Sequence, residues 1–409
     1  MDREQLIFDW NVQGQVPPRP RVIEFDDETL RDGLQSPSVT DPSIDEKIAL
    51  LHLMAKVGIR YADIGLPGAG GQVNQHVMLL AKEIVRSHIP IQANCAARTL
   101  VQDIAPVKHI TAETGLPIEV CIFIGSSPIR QYAEDWTLER MLSVSEEALA
   151  YCAQHRLPVM YVTEDTTRAH PEAITRLYKL AIEMGAQRVC VCDTCGHATP
   201  NGVRNLVAFV KQLVTRLGKP VKIDWHGHMD RGLGVINSIA ALEAGADRVH
   251  ATALGIGERA GNTPMDQLLV NLKLLDWIDT DLHALGDYCR LAASACGVGI
   301  PHNYPVFGPD AFETATGVHA AAVIKAFKKG DPWLANRVYS GVPADEFGLK
   351  QSIRIGAMSG KSNVLFWLEE HGEAADEDLV ALLLDRAKHS RRLLTDAELK
   401  GLVAEHRRQ

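Results

Sequence analysis

Eight short apolar segments, each followed by a stretch with helical periodicity, occupy the first two thirds of this 409-residue chain. In order they read RVIEF, IRYADIGL, IPIQANC, PIEVCIFIG, PVMYVTED, RVCVCDT, VKIDWHGH and RVHATALGIG. Eight alternating strand and helix units within roughly 250 residues are what a closed (β/α)8 barrel requires. A GxGxxG fingerprint, which would favour a dinucleotide-binding sheet, does not follow the first segment. The sequence therefore predicts an α/β fold built on a TIM barrel.

The predicted barrel spans residues 21–276, between an N-terminal extension (1–20) and a smaller, mainly helical C-terminal region (277–409). Beyond residue 276 the strand pattern gives way to helical segments separated by Gly/Pro loops such as GVGIPHNYPVFGPDAF. This region is too short for a second large domain, so we expect an accessory unit.

Four hydroxyl residues mark predicted helix starts: Ser43, Thr199, Thr263 and Thr395. Glu46 and Glu398 follow two of them by three residues, the spacing of a capping box. The other two precede a proline, which favours the first position of a helix. We therefore expect all four hydroxyls to cap helices.

Composition excludes several classes of partner. The formal net charge of −9, with no run rich in Lys or Arg, repels phosphate backbones and anionic lipid, so neither nucleic acid nor a membrane surface is expected. The N-terminus lacks a basic segment followed by an apolar one, and no apolar run approaches the ~18 residues that span a bilayer. The eight cysteines lie mostly in apolar segments, and we interpret them, including the CxxC pair Cys192 and Cys195, as structural thiols. These features predict a cytoplasmic protein.

Polar side chains collect where the predicted strands end, on the rim that carries the chemistry of TIM barrels. They are Arg31, Asp32, Asn94, Arg98, Ser126, Ser127, Glu164, Asp165, Asp193, Thr194, His226, His228 and Asn262. His226 and His228 stand two residues apart on a predicted strand, so both imidazoles face one side and can meet one ion. Two satisfied histidines at a strand end are the usual explanation of an isolated HxH, and the other rim residues shift the balance towards a metal site.

Asp32 and Asn262 would complete this site, because strands one, seven and eight become neighbours when the barrel closes. Oxygen and nitrogen ligands without thiolate favour a catalytic Mg²⁺, Mn²⁺, Co²⁺ or Zn²⁺. Asp224 or Asp230 are the candidates for a carboxylate that orients one imidazole.

Several ordered motifs resemble one known family. They are DDETLRDGLQSP (26–37), TEDTTR (163–168), DTCGHATP (193–200), HGHMDRGLGVINSIAALEAGA (226–246), GIGERAGNTP (255–264) and GVHAAAVIK (317–325). Together they are similar to the 2-isopropylmalate synthase and homocitrate synthase branch of the barrel metallolyases. The resemblance implies that acetyl-CoA, as co-substrate, condenses with a 2-oxo acid and that the thioester is then hydrolysed. It also implies that Asp32, His226 and His228 bind a divalent metal, with Asn262 beside it.

The same resemblance assigns roles around the metal. Arg31 would polarise the substrate carbonyl, and Thr194 would hydrogen-bond the substrate carboxylate. Glu164 and His319 match acid/base residues, and Tyr339 matches an assisting tyrosine. The family's domain-swapped homodimer implies that His319 and Tyr339 reach the partner subunit's site. Two more residues that follow predicted strands are expected to bind substrate, namely Gln35 and Arg98.

Departures from the family pattern leave two alternatives. Leu34 stands where many family members have Glu or Asn, and RDGLQ instead resembles the 3-hydroxy-3-methylglutaryl-CoA lyases, which cleave a carbon–carbon bond. Those lyases carry a cysteine in the loop after strand eight, and GIGERAGNTP has none. A barrel retained only for binding is the other alternative.

No large regulatory domain follows, so leucine feedback is not expected. Leu34 and Leu66 favour an apolar substrate pocket, without identifying the 2-oxo acid.

Overall fold

The computed structural model describes residues 3–14, 16, 17 and 19–408. Its central element is a closed barrel of eight parallel strands in sequential order, as the sequence predicts. The barrel closes where β1 pairs with β8, with Phe25 opposite Val249. The strands are β1 Glu24–Asp27, β2 Tyr61–Asp63, β3 Gln92–Arg98, β4 Glu119–Gly125, β5 Val159–Glu164, β6 Arg188–Asp193, β7 Lys222–Gly227 and β8 Arg248–Ala251.

Helices alternate with these strands. They are α1 Ile44–Lys56, α2 Gly71–Arg86, α3 Val101–Thr114, α4 Pro128–Ala133, α5 Leu138–Gln154, α6 Pro171–Glu183, α7 Pro200–Leu217, α8 Gly234–Ala244, α9 Met265–Leu274 and α10 Leu285–Cys296. Ser43 caps α1 in a capping box, and Thr199 caps α7, as predicted. The prediction for Thr263 is wrong: Pro264 takes the cap position of α9, because the Thr263 hydroxyl donates to the Gly227 carbonyl at 3.1 Å.

The chain divides into two compact units, Met1–Asp281 with Asp287–Val298, and Leu282–Gly286 with Gly299–Gln409. Most of α10 therefore belongs with the barrel, beyond the boundary expected at residue 276. The reason is visible at Tyr288, whose buried hydroxyl donates to the Asp27 carboxylate on β1.

The second unit contains five helices and a two-stranded parallel sheet among its described residues. They are α11 Gly317–Lys328, α12 Pro332–Ala335, α13 Lys361–Glu370, α14 Glu377–Lys388, α15 Asp396–His406, β9 Glu313–Thr314 and β10 Ser352–Ile353. Thr395 caps α15 with Glu398, as predicted. An apolar cluster that includes Trp367, Leu383 and Leu399 forms the core of α13 to α15.

All eight cysteines are free thiols, and seven are buried; Cys195 is partly exposed. Within the described part of the chain, no helix is long and apolar enough to cross a membrane.

The lower interior of the barrel is charged rather than apolar. Arg248, which is fully buried, contacts Asp224 at 2.5 Å and Glu119 at 2.8 Å. Arg188 contacts the other Asp224 oxygen at 2.6 Å and also pairs with Glu24. We call these five side chains the lower ion-pair layer. It supports the floor of the site described next.

Candidate metal centre and active site

Three predicted ligand atoms converge at the mouth of the barrel. His226 lies on β7, His228 follows it, and Asp32 follows β1; all three side chains are buried. The two Nε2 atoms lie 3.1 Å apart, and Asp32 Oδ2 lies 3.5 Å from His226 Nε2 and 3.6 Å from His228 Nε2. Ligand atoms about 2.1 Å from one ion, at angles of 90–110°, are about 3.0–3.4 Å apart. The spacing therefore suits a single divalent ion.

Asn262 offers an amide oxygen near the same place. It lies opposite His228 in an isolated β-bridge, and its Nδ2 donates to the Ile256 carbonyl at 3.1 Å. Its Oδ1 is buried and accepts no hydrogen bond from the residues that the structure describes. A buried acceptor without a partner costs about 1–3 kcal/mol, so this oxygen is suited to a ligand from outside the chain.

Glycine allows this loop to fold tightly. Gly261 has φ +89°, and a Cβ atom there would lie 1.9 Å from the Gly255 carbonyl oxygen. At Gly257, with φ +152°, a Cβ would lie 2.2 Å from Asn262 Nδ2. A side chain at Gly257 would displace the Asn262 amide, and one at Gly261 would displace the Gly255 carbonyl that accepts the Asn262 backbone N–H, so the two glycines hold Asn262 in place.

The carboxylate beside His226 is Glu28, a residue that the sequence reading missed. Its Oε2 lies 2.8 Å from His226 Nδ1, so Nε2 of that ring is left facing Asp32 and His228. Of the two carboxylates predicted for this role, Asp224 instead contacts His250 Nε2 at 3.0 Å, and Asp230 pairs with Arg259 at 2.9 Å. That prediction is therefore wrong.

A second group of potential ligands, made by Glu28, His226 and His250, also lies within reach of one ion. Here Glu28 approaches both rings at hydrogen-bonding distance through different oxygens, Oε2 at 2.8 Å from His226 Nδ1 and Oε1 at 3.0 Å from His250 Nδ1. Burial lowers the pKa of His250, but Glu28 and Asp224 outweigh that effect and raise it to about 10. These contacts with Glu28 and Asp224 hold the three side chains of this group together.

Arg31 is held rigidly above the ligands. Its Nε donates to Asp63 Oδ2 and its Nη2 to Glu28 Oε1, both at 2.8 Å, and Nη1 lies 3.7 Å from Asp32. Burial opposes the charged form, but these three carboxylates raise the pKa of Arg31 well above its usual value. The guanidinium is therefore a fixed positive charge beside the site.

Arg31, Asp32, His226 and His228 all line a cavity of about 140 Å³. Gln35, Leu66, Glu164 and Thr194 also line it, whereas Leu34 does not. Burial raises the pKa of Glu164 above its ordinary value, so its carboxyl holds a proton more readily than a surface glutamate. Thr194 Oγ1 accepts a hydrogen bond from the Asp165 amide at 2.8 Å, which fixes the hydroxyl at the rim.

Part of the cavity lining, contributed by three neighbouring strands, is apolar. It comprises Cys121, Phe123, Met160, Val162, Cys190 and Cys192, from β4, β5 and β6. We call these six residues the apolar wall. Four of them, the three cysteines and Met160, form a buried cluster against which Val162 packs.

Three predicted site residues lie elsewhere. Arg98 does not line this cavity: it makes two hydrogen bonds to Asp103, at 2.6 and 3.0 Å, and faces a neighbouring cavity of about 290 Å³. His319 and Tyr339 belong to the second unit, where their rings stack with centroids 4.2 Å apart and Tyr339 is half exposed. The structure thus brings together Arg31, Asp32, Gln35, Glu164, Thr194, His226 and His228 around one cavity.

The chain is similar to several known proteins. The HMGL-like family model matches residues 22–292. Homocitrate synthase AksA of Methanopyrus kandleri is 32% identical over 390 residues, covering 94% of this chain and 92% of the relative. The 2-isopropylmalate synthase of Sulfolobus acidocaldarius is 31% identical over 389 residues, covering 94% and 95%.

Solved structures support the fold. The Bacillus subtilis HMG-CoA lyase aligns with a TM-score of 0.58 and 20% identity, covering 69% of this chain and 97% of that one. An Acinetobacter baumannii HMG-CoA lyase, solved with coenzyme A and 3-methylmalate, aligns with a TM-score of 0.57 and 21% identity, covering 68% and 93%. The barrel, its motifs and these relatives together establish that the chain belongs to the HMGL-like family.

Proposed function

We propose that this protein is an acyltransferase that condenses acetyl-CoA with a 2-oxo acid and then hydrolyses the thioester. The observation that carries the proposal is the convergence of Asp32, His226 and His228 beside Arg31 on one small cavity. Relatives that share most of this chain's length are homocitrate synthases and 2-isopropylmalate synthases, which supports the same reaction class.

The residues would divide the chemistry as follows. Asp32, His226, His228 and Asn262 would hold a divalent ion (Mg²⁺, Mn²⁺, Co²⁺ or Zn²⁺), which supplies Lewis-acid stabilisation of negative charge. Arg31 donates to the acceptor carbonyl oxygen, where that charge develops as the new carbon–carbon bond forms. Its contacts with Glu28 and Asp63 fix the guanidinium beforehand, so little reorganisation accompanies the reaction.

Proton transfers need groups that titrate near neutrality. A base must remove a proton from the acetyl methyl group, and His319 is our candidate because an imidazole can accept it. Glu164, whose pKa is raised by burial, would exchange a proton with the acceptor, and Tyr339 would assist. Thr194 and Gln35 would position the acceptor at the rim. Arg98 would bind substrate only if its hydrogen bonds to Asp103 broke.

The direct test is thiol release from acetyl-CoA with 2-oxo acids in the presence of Mg²⁺ or Mn²⁺. His226→Ala should abolish release, because it removes one of the proposed ligands and the imidazole that Glu28 orients. His109→Ala, an exposed histidine on α3, is the matched control and should retain full activity. Full turnover in His226→Ala would exclude the metal site from the reaction.

We further infer that the active form is a domain-swapped homodimer in the cytoplasm, in which His319 and Tyr339 serve the partner subunit's site. His319 is exposed in the second unit, as a residue offered to another subunit must be. Mixing inactive His226→Ala and His319→Ala subunits should restore activity, since a heterodimer would contain one complete site. No recovery after subunit exchange would contradict this arrangement.

Cleavage of 3-hydroxy-3-methylglutaryl-CoA is the second candidate, favoured by Leu34 in RDGLQ and by the shared barrel fold. Acetoacetate formation from that thioester, without thiol release in the condensation assay, would establish it. A protein that bound no divalent ion in calorimetry would instead be a non-catalytic barrel.

A further inference from the structure

The cavity is lined by charged residues and by the apolar wall, and this lining restricts which 2-oxo acid can bind as acceptor. Among the described residues that line it, Arg31 is the sole Lys or Arg, and its donors already contact Glu28 and Asp63. Carboxylates are more numerous, since Glu28, Asp32, Glu164 and Glu258 all line the cavity. Arg31 and a bound cation can therefore match one substrate carboxylate, and no further Lys or Arg is among the described residues that line this cavity; Arg98, Arg130 and Arg140 line the neighbouring one.

On β4 and β5 the cavity is lined by Cys121, Phe123, Met160 and Val162 of the apolar wall, with Glu164 at the end of β5. Met160 is 2% exposed and Cys192 is 3% exposed, so a charged group placed against them would lose its hydration without gaining a partner. Burial of an unpaired carboxylate costs several kcal/mol even after local relaxation. An alkyl group in the same place would gain the favourable free energy of removing apolar surface from water.

Cavity size restricts the alkyl group further. The volume of about 140 Å³ is well below the roughly 300–1,000 Å³ of pockets that bind drug-sized ligands. Phe123 is partly buried and lines both this cavity and the neighbouring one, so its ring separates the two. A long side chain would have to displace that ring.

We propose that the acceptor is a 2-oxo acid with a single carboxylate and a short alkyl side chain, which packs against the apolar wall at Phe123, Met160 and Val162. The inference rests on the proposed condensation and names its substrate class. The dicarboxylic 2-oxo acids are thereby excluded as good acceptors.

The test is a panel of acceptors with acetyl-CoA and Mn²⁺, read by thiol release: pyruvate, 2-oxobutyrate, 2-oxoisovalerate, oxaloacetate and 2-oxoglutarate. The best monocarboxylic acid should exceed both dicarboxylic acids in kcat/KM by about 100-fold or more, because the second carboxylate would be buried unpaired. A dicarboxylic acid that equals or exceeds it would overturn this inference while leaving the condensation intact. No release with any acceptor would overturn the condensation itself, and the inference with it.

Two variants test whether the apolar wall contacts the acceptor side chain. For each variant the measurement is the ratio of kcat/KM between two acceptors. Val162→Arg places a cation in the apolar wall and should shift the ratio towards 2-oxoglutarate and away from 2-oxoisovalerate by about 10-fold or more. Phe123→Ala should improve 4-methyl-2-oxopentanoate relative to pyruvate by about 10-fold, because it enlarges the cavity. Phe209→Ala on α7 is the matched control, since Phe209 is also partly buried but lines a different cavity, and it should leave both ratios unchanged. Unchanged ratios in the two wall variants would overturn the assignment of the wall.

Discussion

Charged side chains line the barrel at two levels, and the levels differ in what their charges contact. In the lower ion-pair layer, Arg188 and Arg248 share Asp224 and reach Glu24 and Glu119, so each positive charge faces carboxylates within the chain. At the upper level, the three ligand atoms of Asp32, His226 and His228 point at a common centre.

The comparison separates buried charge that supports the fold from buried charge that is available for chemistry. Buried polar atoms without a hydrogen-bond partner among the described residues occur at both levels: Arg248 Nη1 in the lower layer, and Asn262 Oδ1 and His228 Nδ1 at the upper level. The upper level differs in that the Nε2 atoms of His226 and His228 and the Asp32 carboxylate lie within reach of one ion, so an external ligand can bind there. Substitutions at the two levels should therefore have opposite kinds of effect.

The largest effect on stability is expected from Asp224→Asn. The variant leaves Arg188, Arg248 and protonated His250 without their shared carboxylate, which should lower the free energy of unfolding by about 3–5 kcal/mol. Asp32→Asn at the upper level is the control. It should lower the free energy of unfolding by less than about 1 kcal/mol, since Arg31 keeps its hydrogen bonds to Glu28 and Asp63. Urea unfolding of the metal-free proteins measures both. Equal losses of unfolding free energy in the two variants would show that the two levels do not differ in their contribution to stability.

A smaller effect is expected from Glu28→Gln, and it should appear in metal binding. Loss of the charge beside His226 Nδ1 should weaken Mn²⁺ affinity by about 10–100-fold, or about 1.4–2.7 kcal/mol, because Glu28 orients that imidazole. Calorimetric titration measures the affinity directly. Glu258→Gln, a carboxylate that also lines the cavity but is not in the ligand group, should leave it nearly unchanged. An unaffected Glu28→Gln protein would remove this residue from the metal site.

The smallest effect concerns pH. Burial opposes ionisation of Asp224, but Arg248 and Arg188 outweigh it and hold the pKa of this carboxyl well below its ordinary 3.8. A carboxylate with a lowered pKa stabilises the fold above its unfolded-state pKa and loses that contribution as pH falls towards the folded-state value. The stability difference between wild type and Asp224→Asn should thus stay constant from pH 5 to 8 and shrink below about pH 4, by up to about 1.4 kcal/mol per pH unit. A difference that grows on acidification would contradict the lower layer's role.

The sequence predicts the upper level better than the lower one, for a physical reason. The alternation of strands and helices fixes the barrel, and the two-residue spacing of His226 and His228 puts both imidazoles on one side. Closure of β1 against β8 then brings Asp32 close, which follows from the topology alone. None of these steps requires knowledge of side-chain partners.

What the sequence could not show depends on register and long-range pairing. Asp26, Asp27 and Glu28 are consecutive acids, and only the pleat of β1 decides that Asp27 meets Tyr288 while Glu28 faces His226. The sequence did contain one signal for Glu28. It lies two residues after Asp26, so both side chains are expected to face the interior of the barrel. Arg98 was predicted to bind substrate, and its pairing with Asp103 on α3 depends on the helix that follows the strand.

The measurement that tests the central claim most directly is calorimetric titration of the metal-free protein with Mn²⁺, for wild type, Asp32→Asn and His228→Ala. Wild type should bind one ion per chain, and each variant should lose most of that affinity while it unfolds at a urea concentration close to that of wild type. Binding that persists in both variants would show that Asp32 and His228 do not share an ion, and the proposed active site would then be wrong.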